Sequence, residues 1–256
     1  MKQLIICMGF ILLSGFGCKG PAGMTGSTGP TGPSGPTGYD YQMTFENGVY
    51  PDSAYSGVDV HWINSAAQTV VEGTGAIEVG TSSSISNVQL GLVRVSLAPL
   101  PANATILSAQ LQLTTETGST LSNGTYVLGV YQFLAIGDSQ WDDYATWLSP
   151  QLGGGWLAGS GTAPISFGYN YASTPLDSVT VTASQINGNQ VALAWNIPVS
   201  IASPWMTETT SPSNFNYGLL LSTVPETGSG SGTIPFWDNT GSALVKPQIV
   251  VDYTIP

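Results

Sequence analysis

Charge is scarce in this sequence. Of 256 residues only 7% are charged, and 15 acids stand against 4 bases, for a net charge of −11. So few cations exclude nucleic acid as a partner and exclude electrostatic binding to anionic lipid. Cysteine is nearly absent. Cys7 and Cys18 both precede Lys19, so the rest of the chain can form no disulfide and no thiolate metal site. Histidine occurs once, as His61 beside Trp62, and no Gly-x-Ser-x-Gly motif accompanies a serine. A Ser–His–Asp triad therefore has no support, and His61 reads as an ordinary strand histidine. Helical periodicity is missing everywhere except for a possible turn around Asp142–Leu148. What is abundant is Gly (32), Pro (17), Tyr (11) and Trp (7). That composition suits an extracellular β-protein, and the length allows one all-β domain plus attachments.

Residues 1–18 read as a secretory signal: Lys2, the apolar run Leu4–Leu13, then small residues. Gly15-Phe16-Gly17-Cys18 resembles a bacterial lipoprotein box, with Gly15 where Leu is usual and Cys18 as the lipidated residue. An ordinary signal peptide with an incidental Cys is the alternative. Lys19 is not the Asp that retains many such lipoproteins at the inner membrane, so the resemblance implies an outer surface. Residues 19–38 form a stalk with Gly at 20, 23, 26, 29, 32, 35 and 38, and Pro at 21, 30, 33 and 36. A strict period of three is collagen composition, since only Gly fits the axis of three wound chains. So short a stretch is either a stiff polyproline-II spacer or the seed of a homotrimer. Thr25, Thr28, Thr31 and Thr37 are candidate sugar carriers.

Residues 39–256 are the folded head. Its centre is Leu90–Leu113. Val88–Leu97 is apolar on both faces, which predicts a strand through the middle of a sheet. Ala98–Thr105 is a turn rich in Pro and Asn. In the next strand Leu107, Ala109, Leu111 and Leu113 alternate with Ser108, Gln110 and Gln112, predicting one buried and one wet face. Further strands are predicted at Val58–Ile63, Thr125–Leu134, Ser178–Thr182, Val191–Ile197, Tyr217–Thr223, Ile234–Asn239 and Val250–Thr254. Short alternating strands with long Gly/Ser/Thr loops give an all-β, two-sheet antiparallel β-sandwich, or jelly roll. Arg94 stands inside an apolar strand of a domain almost empty of cations. It is predicted to be buried and paired with a carboxylate or carbonyl.

Leu92–Ile106 resembles the hallmark of the DNRLRE family of secreted domains, related to a family of carbohydrate-binding modules. Leu92-Val93-Arg94-Val95-Ser96-Leu97 fills its LLRFDL slot, and Leu100-Pro101-Ala102-Asn103-Ala104-Thr105-Ile106 fills LPAGATI. Val95 replaces the family's Phe and Ser96 its Asp. Asp59 resembles the family's early Asp. Trp141, Asp143, Thr146, Trp147 and Pro150 resemble its W-x-E-x-x-x-T-W-x-x-x-P segment, and Lys246–Tyr253 resembles its ending.

Five tryptophans, Trp141, Trp147, Trp156, Trp205 and Trp237, invite a sugar-stacking reading, because an aromatic face suits the C–H face of a sugar ring. Trp156 follows three glycines and Trp237 follows the Gly-rich tip Gly228–Gly232, so these two are the expected ligand contacts. Trp141 and Trp205 are further candidates, while Trp147 and Trp195 are expected in the core. Asp138, Asp142 and Asp143 could hold a structural Ca²⁺ through oxygens, against the plainer reading of a solvated acidic turn. Glycoside cleavage would need two acids about 5–10 Å apart across a bond. Asp52, Asp59, Glu72, Glu78, Asp138, Asp142 and Asp143 are the candidates, and no spacing pairs any two.

The sequence thus points first to a non-catalytic module on the cell surface that binds polysaccharide by stacking, with affinity nearly independent of salt. A structural or adhesive protein that meets a matrix component is the second reading, and a hydrolase or lyase the third. Membrane contact is expected only through the lipid anchor.

Overall fold

The computed structural model describes residues 39–66, 75–81, 88–134, 141–149, 156, 165, 170–207, 216–223 and 232–256. Residues 1–38, on which the expected signal peptide, lipidated Cys18 and Gly-x-y stalk fall, lie outside them. The head is a two-sheet antiparallel sandwich. Its strands are β1 (Tyr39–Phe45), β2 (Val58–Asn64), β3 (Ala76–Thr81), β4 (Val88–Val95), β5 (Thr105–Thr114), β6 (Thr125–Gln132), β7 (Asp177–Thr182), β8 (Ala192–Ile197), β9 (Leu219–Thr223), β10 (Gly232–Trp237) and β11 (Gln248–Ile255). One sheet has the order β1-β11-β5-β8. The other has seven strands, β10-β3-β4-β9-β6-β7, with β2 also paired to β4. Taking β1, β4, β5, β6, β7, β8, β9 and β11 as a framework, the chain passes between the sheets so that its ends pair with each other. This is jelly-roll connectivity.

β4 was expected to be buried on both faces, and it is. Val93 and Val95 point into the core between the sheets, with Leu111, Trp195, Leu219 and Phe236. Leu90 and Leu92 point the other way, into a second cluster with Ile63, Tyr131, Phe133, Trp141, Trp156 and Leu220. Period-two alternation places these sets on opposite faces. The outer face of the seven-stranded sheet is therefore apolar around Leu90, Leu92 and Ile63, and that patch needs a cover.

β5 departs from expectation at one residue. Ala109, Leu111 and Leu113 are buried, but Leu107 is 48% exposed and Ile106 is buried in its place. The ladder with β11 explains this. Asp252 pairs with Ser108 while Tyr253 pairs with Ile106, so Leu107 is the extra residue of a β-bulge. A bulge breaks the alternation and re-aims the side chain.

Two short helices, α1 (Ala183–Ile186) and α2 (Val199–Ala202), and a 3-10 turn at Ser203–Met206 were not foreseen. Each is too short to show a helical period. α1 is held by a capping box, in which the Thr182 hydroxyl accepts from Gln185 N and the Gln185 side chain accepts from Thr182 N. β1 was also not foreseen, although Tyr41, Met43 and Phe45 alternate with Asp40, Gln42 and Thr44.

β9 enters the sheet through Gly218, at φ +77, where a Cβ would lie 2.3 Å from the Val93 carbonyl. Gly188 has the same φ with nothing within 4 Å. Gly218→Ala is expected to cost about 3 kcal/mol or more, from strain and clash together. Gly188→Ala should cost about 1 kcal/mol, from conformation alone. Urea denaturation of both variants checks this, and equal costs would show that β9 does not approach β4 this closely.

Candidate functional site

On the four-stranded sheet, the face away from the core carries Asp40 and Asp252 but no Lys or Arg among the described residues, and many neutral hydrogen-bonding groups. Gln248 donates to Gln112 at 2.8 Å, Gln112 to Gln110 at 2.8 Å, and Gln110 to Asn196 at a looser 3.4 Å. Asn196 closes the row on Asp177 through its backbone N–H at 2.7 Å and its amide at 3.2 Å. An ordinary wet face would carry Lys and Glu, whereas this one is an ordered row of amides.

At the β1 end the face dips into a depression of about 360 Å³, lined by Asp40, Tyr41, Gln42, Leu107, Ser108 and Asp252. Three adjacent strands build it. Gln42 and Ser108 both pair with Asp252 across β11. Gln42 Nε2 donates to Asp252 Oδ1 at 2.9 Å, and the Ser108 hydroxyl donates to Oδ2 at 2.7 Å. Those two bonds, Ser108 first, hold the Asp252 carboxyl below its ordinary value, so it is an anion at neutral pH. Tyr41 stacks on the buried Tyr253, with centroids 5.5 Å apart and planes 23° apart, yet it stays 42% exposed. Its ring is therefore held by packing while presenting surface to solvent. Beside it stands Leu107, turned outward by the bulge.

The predicted tryptophans fall elsewhere. Trp141, Trp156 and Trp205 are 1%, 1% and 4% exposed, so none offers a ring face to a sugar. Trp156 stacks on Phe133 at 6.0 Å and donates to the Thr146 carbonyl at 3.0 Å. Trp141 donates to the Tyr217 carbonyl at 2.8 Å. Both belong to the cover over the outer face of the seven-stranded sheet. Flanking glycines report loop flexibility in sequence, not exposure of the neighbouring ring. Trp205, in the 3-10 turn, joins the core between the sheets. Trp237 is half-buried on β10, with its indole N–H shielded from water and unpartnered. Trp195 is fully buried, and Trp147 packs half-buried on the outer cluster, both as expected.

The acidic candidates are dispersed. Asp138 and Glu72 lie outside the described residues. Asp142 Oδ1 accepts from Tyr144 N at 2.9 Å in a local turn, and Asp143 is exposed. Among the described residues no three His, Cys, Asp or Glu side chains converge as a metal site requires. Asp52 holds the Ala54 N–H at 2.8 Å, and Glu78 accepts from Gln89 at 2.5 Å.

Asp59 is the partner of Arg94. The two are paired across β2 and β4, and Arg94 Nε and Nη2 reach Asp59 Oδ2 at 3.0 and 2.5 Å. Nη1 donates to the Trp141 carbonyl at 3.0 Å, and the guanidinium lies 5.0 Å from the Trp141 ring. The pairing is as expected. The burial is only partial, with the side chains 19% and 39% exposed, because the pair sits at the rim of the outer cluster. Arg94 thus ties the cover to the sheet.

His61 lies on the same face. Its Nε2–H donates to the Ala145 carbonyl at 2.9 Å. Burial lowers its pKa below 6.5, against the raising effects of the Ala145 bond, Asp143 and Asp142.

A scan of protein-family models finds no match to the chain, and a search of curated proteins finds none either.

Two outcomes are expected. Arg94→Met leaves Asp59 and the Trp141 carbonyl unpaired and should cost about 2–3 kcal/mol, below the value for a fully buried pair. Unchanged stability to urea would rule out the clamp. For His61 the folded state binds its proton less readily than the unfolded chain. Its contribution is therefore fully present above pH 6.5 and is lost as pH falls below that value. Glu46 and Glu116, whose carboxyls burial raises above 4.5, act with the opposite sign at lower pH. His61→Gln keeps a donor for Ala145 and removes the titration. Melting from about pH 7.5 to about pH 5 should be flatter in this variant than in the wild type; parallel curves would exclude the assignment.

Proposed function

We propose that the head is a non-catalytic module that binds polysaccharide at the cell exterior. In this reading lipid on Cys18 anchors it at the outer surface, and the Gly-x-y stalk sets it off from the membrane. The observation that carries the reading is the depression on the four-stranded sheet. It combines a ring fixed by stacking, an exposed aliphatic side chain and oriented hydroxyl, amide and carboxylate groups. Sugar rings present that same mixture, with a C–H face for Leu107, a further one for the Tyr41 ring at the edge of β1, on the side that Met43 and Phe45 share, and hydroxyls for Gln42, Ser108 and Asp252. The amide row beyond it extends the hydrogen-bonding surface across β5 and β8, as a chain of several sugars would need. The likeness of Leu92–Ile106 to the DNRLRE family favours the same class of ligand.

The test is a glycan array probed with the full chain, followed by calorimetry on whichever polysaccharide binds. Tyr41→Ala removes a platform and should weaken binding by about 1–2 kcal/mol, roughly five- to thirtyfold, while the loss of its stack on Tyr253 costs about 1 kcal/mol of stability. Trp156→Ala should instead destabilise the head by about 3–5 kcal/mol, because it empties a buried site. If no polysaccharide on the array binds, or if Tyr41→Ala binds normally, the reading fails.

A further inference from the structure

The depression lies at the first residues of the head. β1 begins at Tyr39, the residue after Gly38, so no linker separates it from the Gly-x-y stretch. Asp40 and Gln42 line the depression. Gln42 is four residues past Gly38, so at most about 14 Å of chain parts the two. The glycines at 20, 23, 26, 29, 32, 35 and 38 keep a strict interval without a break. A spacer takes its stiffness from Pro and is loosened by Gly, so it has no use for that interval. A shared axis of three wound chains demands it, because no side chain fits there. Cys18 stands two residues before Gly20. Lipid on it confines the copies to one surface, which raises their effective concentration for winding. Charge argues against gathering through the heads. All 15 acids of the chain follow Gly38, and Arg94 and Lys246 are the only bases that do. Arg94 is engaged by Asp59, and Lys246 Nζ donates to the Asn47 carbonyl at 3.0 Å. Neither lines the depression. Copies pressed together at this face would set Asp40 and Asp252 against their own kind.

We propose that the protein is a homotrimer, wound together through the Gly-x-y stalk, in which three open depressions bind one polysaccharide at several points. The binding half rests on the polysaccharide reading above, and the assembly half does not. Three chains leaving one stalk carry their depressions within on the order of 40 Å of one another, whatever angle each head takes. A polysaccharide spans that distance and a tetrasaccharide does not. Repulsion between the acidic heads keeps the depressions apart and open. Each depression, about 360 Å³, is at the small end for a ligand site, so one head alone binds weakly. Once one head has bound, the others meet the same polymer at high effective concentration. Weak single sites thus give firm attachment without any new contact.

Two measurements on the full chain separate the halves. The first is sedimentation equilibrium in density-matched detergent, for the wild type, Gly29→Ala and Ser27→Ala. The expected result is a trimer for the wild type and Ser27→Ala and a monomer for Gly29→Ala, since only the Gly slots meet the axis. The second is an array of neutral β-1,3- and β-1,4-glucans, xylans and mannans, each printed as polymer and as tetrasaccharide. The trimer should bind its polymer about a hundredfold or more tightly than Gly29→Ala does, while the two bind the matching tetrasaccharide alike. The melting temperature of the head should be the same in all three chains. A monomeric wild type, or a Gly29→Ala chain that stays trimeric, overturns the proposal and leaves the polysaccharide reading standing on the array. A trimer with no advantage on polymers overturns the shared binding. An array silent to every chain overturns the polysaccharide reading and the shared binding with it, while sedimentation still decides the assembly.

Discussion

A strand that is apolar on both faces cannot lie at the surface of a sandwich. β4 is such a strand, and much of the architecture answers to it. Val93 and Val95 are buried against the four-stranded sheet, while Leu90 and Leu92 need a second layer. Residues following β6 supply that layer with Trp141, Ala145 and Trp156. An irregular cover must satisfy its own backbone and side-chain polar groups once buried. The indoles of Trp141 and Trp156 and the imidazole of His61 do so by donating to the carbonyls of Tyr217, Thr146 and Ala145. Arg94 fixes the rim through Asp59 and the Trp141 carbonyl. Scarce charge is thus spent where an apolar cover has to be held in register.

Much of this was legible in the sequence. The double-sided character of Val88–Leu97 announced a central strand, and the need of Arg94 for a partner announced a clamp. Asp59 stood out only through its resemblance to an early Asp of the DNRLRE family, and the β2–β4 register is what brings it to Arg94. The bulge at Leu107 was not legible, because nothing in Leu107-Ser108-Ala109 breaks the alternation. It arises from the way β11 pairs. The tryptophans were misplaced for a related reason. Local glycines describe how easily a segment bends, whereas burial depends on what that segment must cover, and the cover was called for by β4.

The candidate site shows the same division. The wet face of β5, with Ser108, Gln110 and Gln112, could be read from spacing alone. Its conversion into a depression needed β1 and β11 beside it, and residues 41 and 253 are far apart in sequence and meet only through long-range pairing. The two sheets also divide the work. The outer face of one is sealed by aromatic residues and structurally committed, whereas the outer face of the other is open and ordered by amide bonds.

The pairing of β1 with β11 has a consequence for how the head is made. Among the described residues β1 is an edge strand that pairs with β11 alone, with Tyr39 opposite Ile255. During synthesis, β1 emerges first and stays unpaired until Gln248–Ile255 has followed. Contacts of such long range are slow to form, since loop closure precedes any reward. The head therefore lacks this pair until β11 has been made. Until then β1 and the edge of β5 that β11 covers stay open to pairing with other strands.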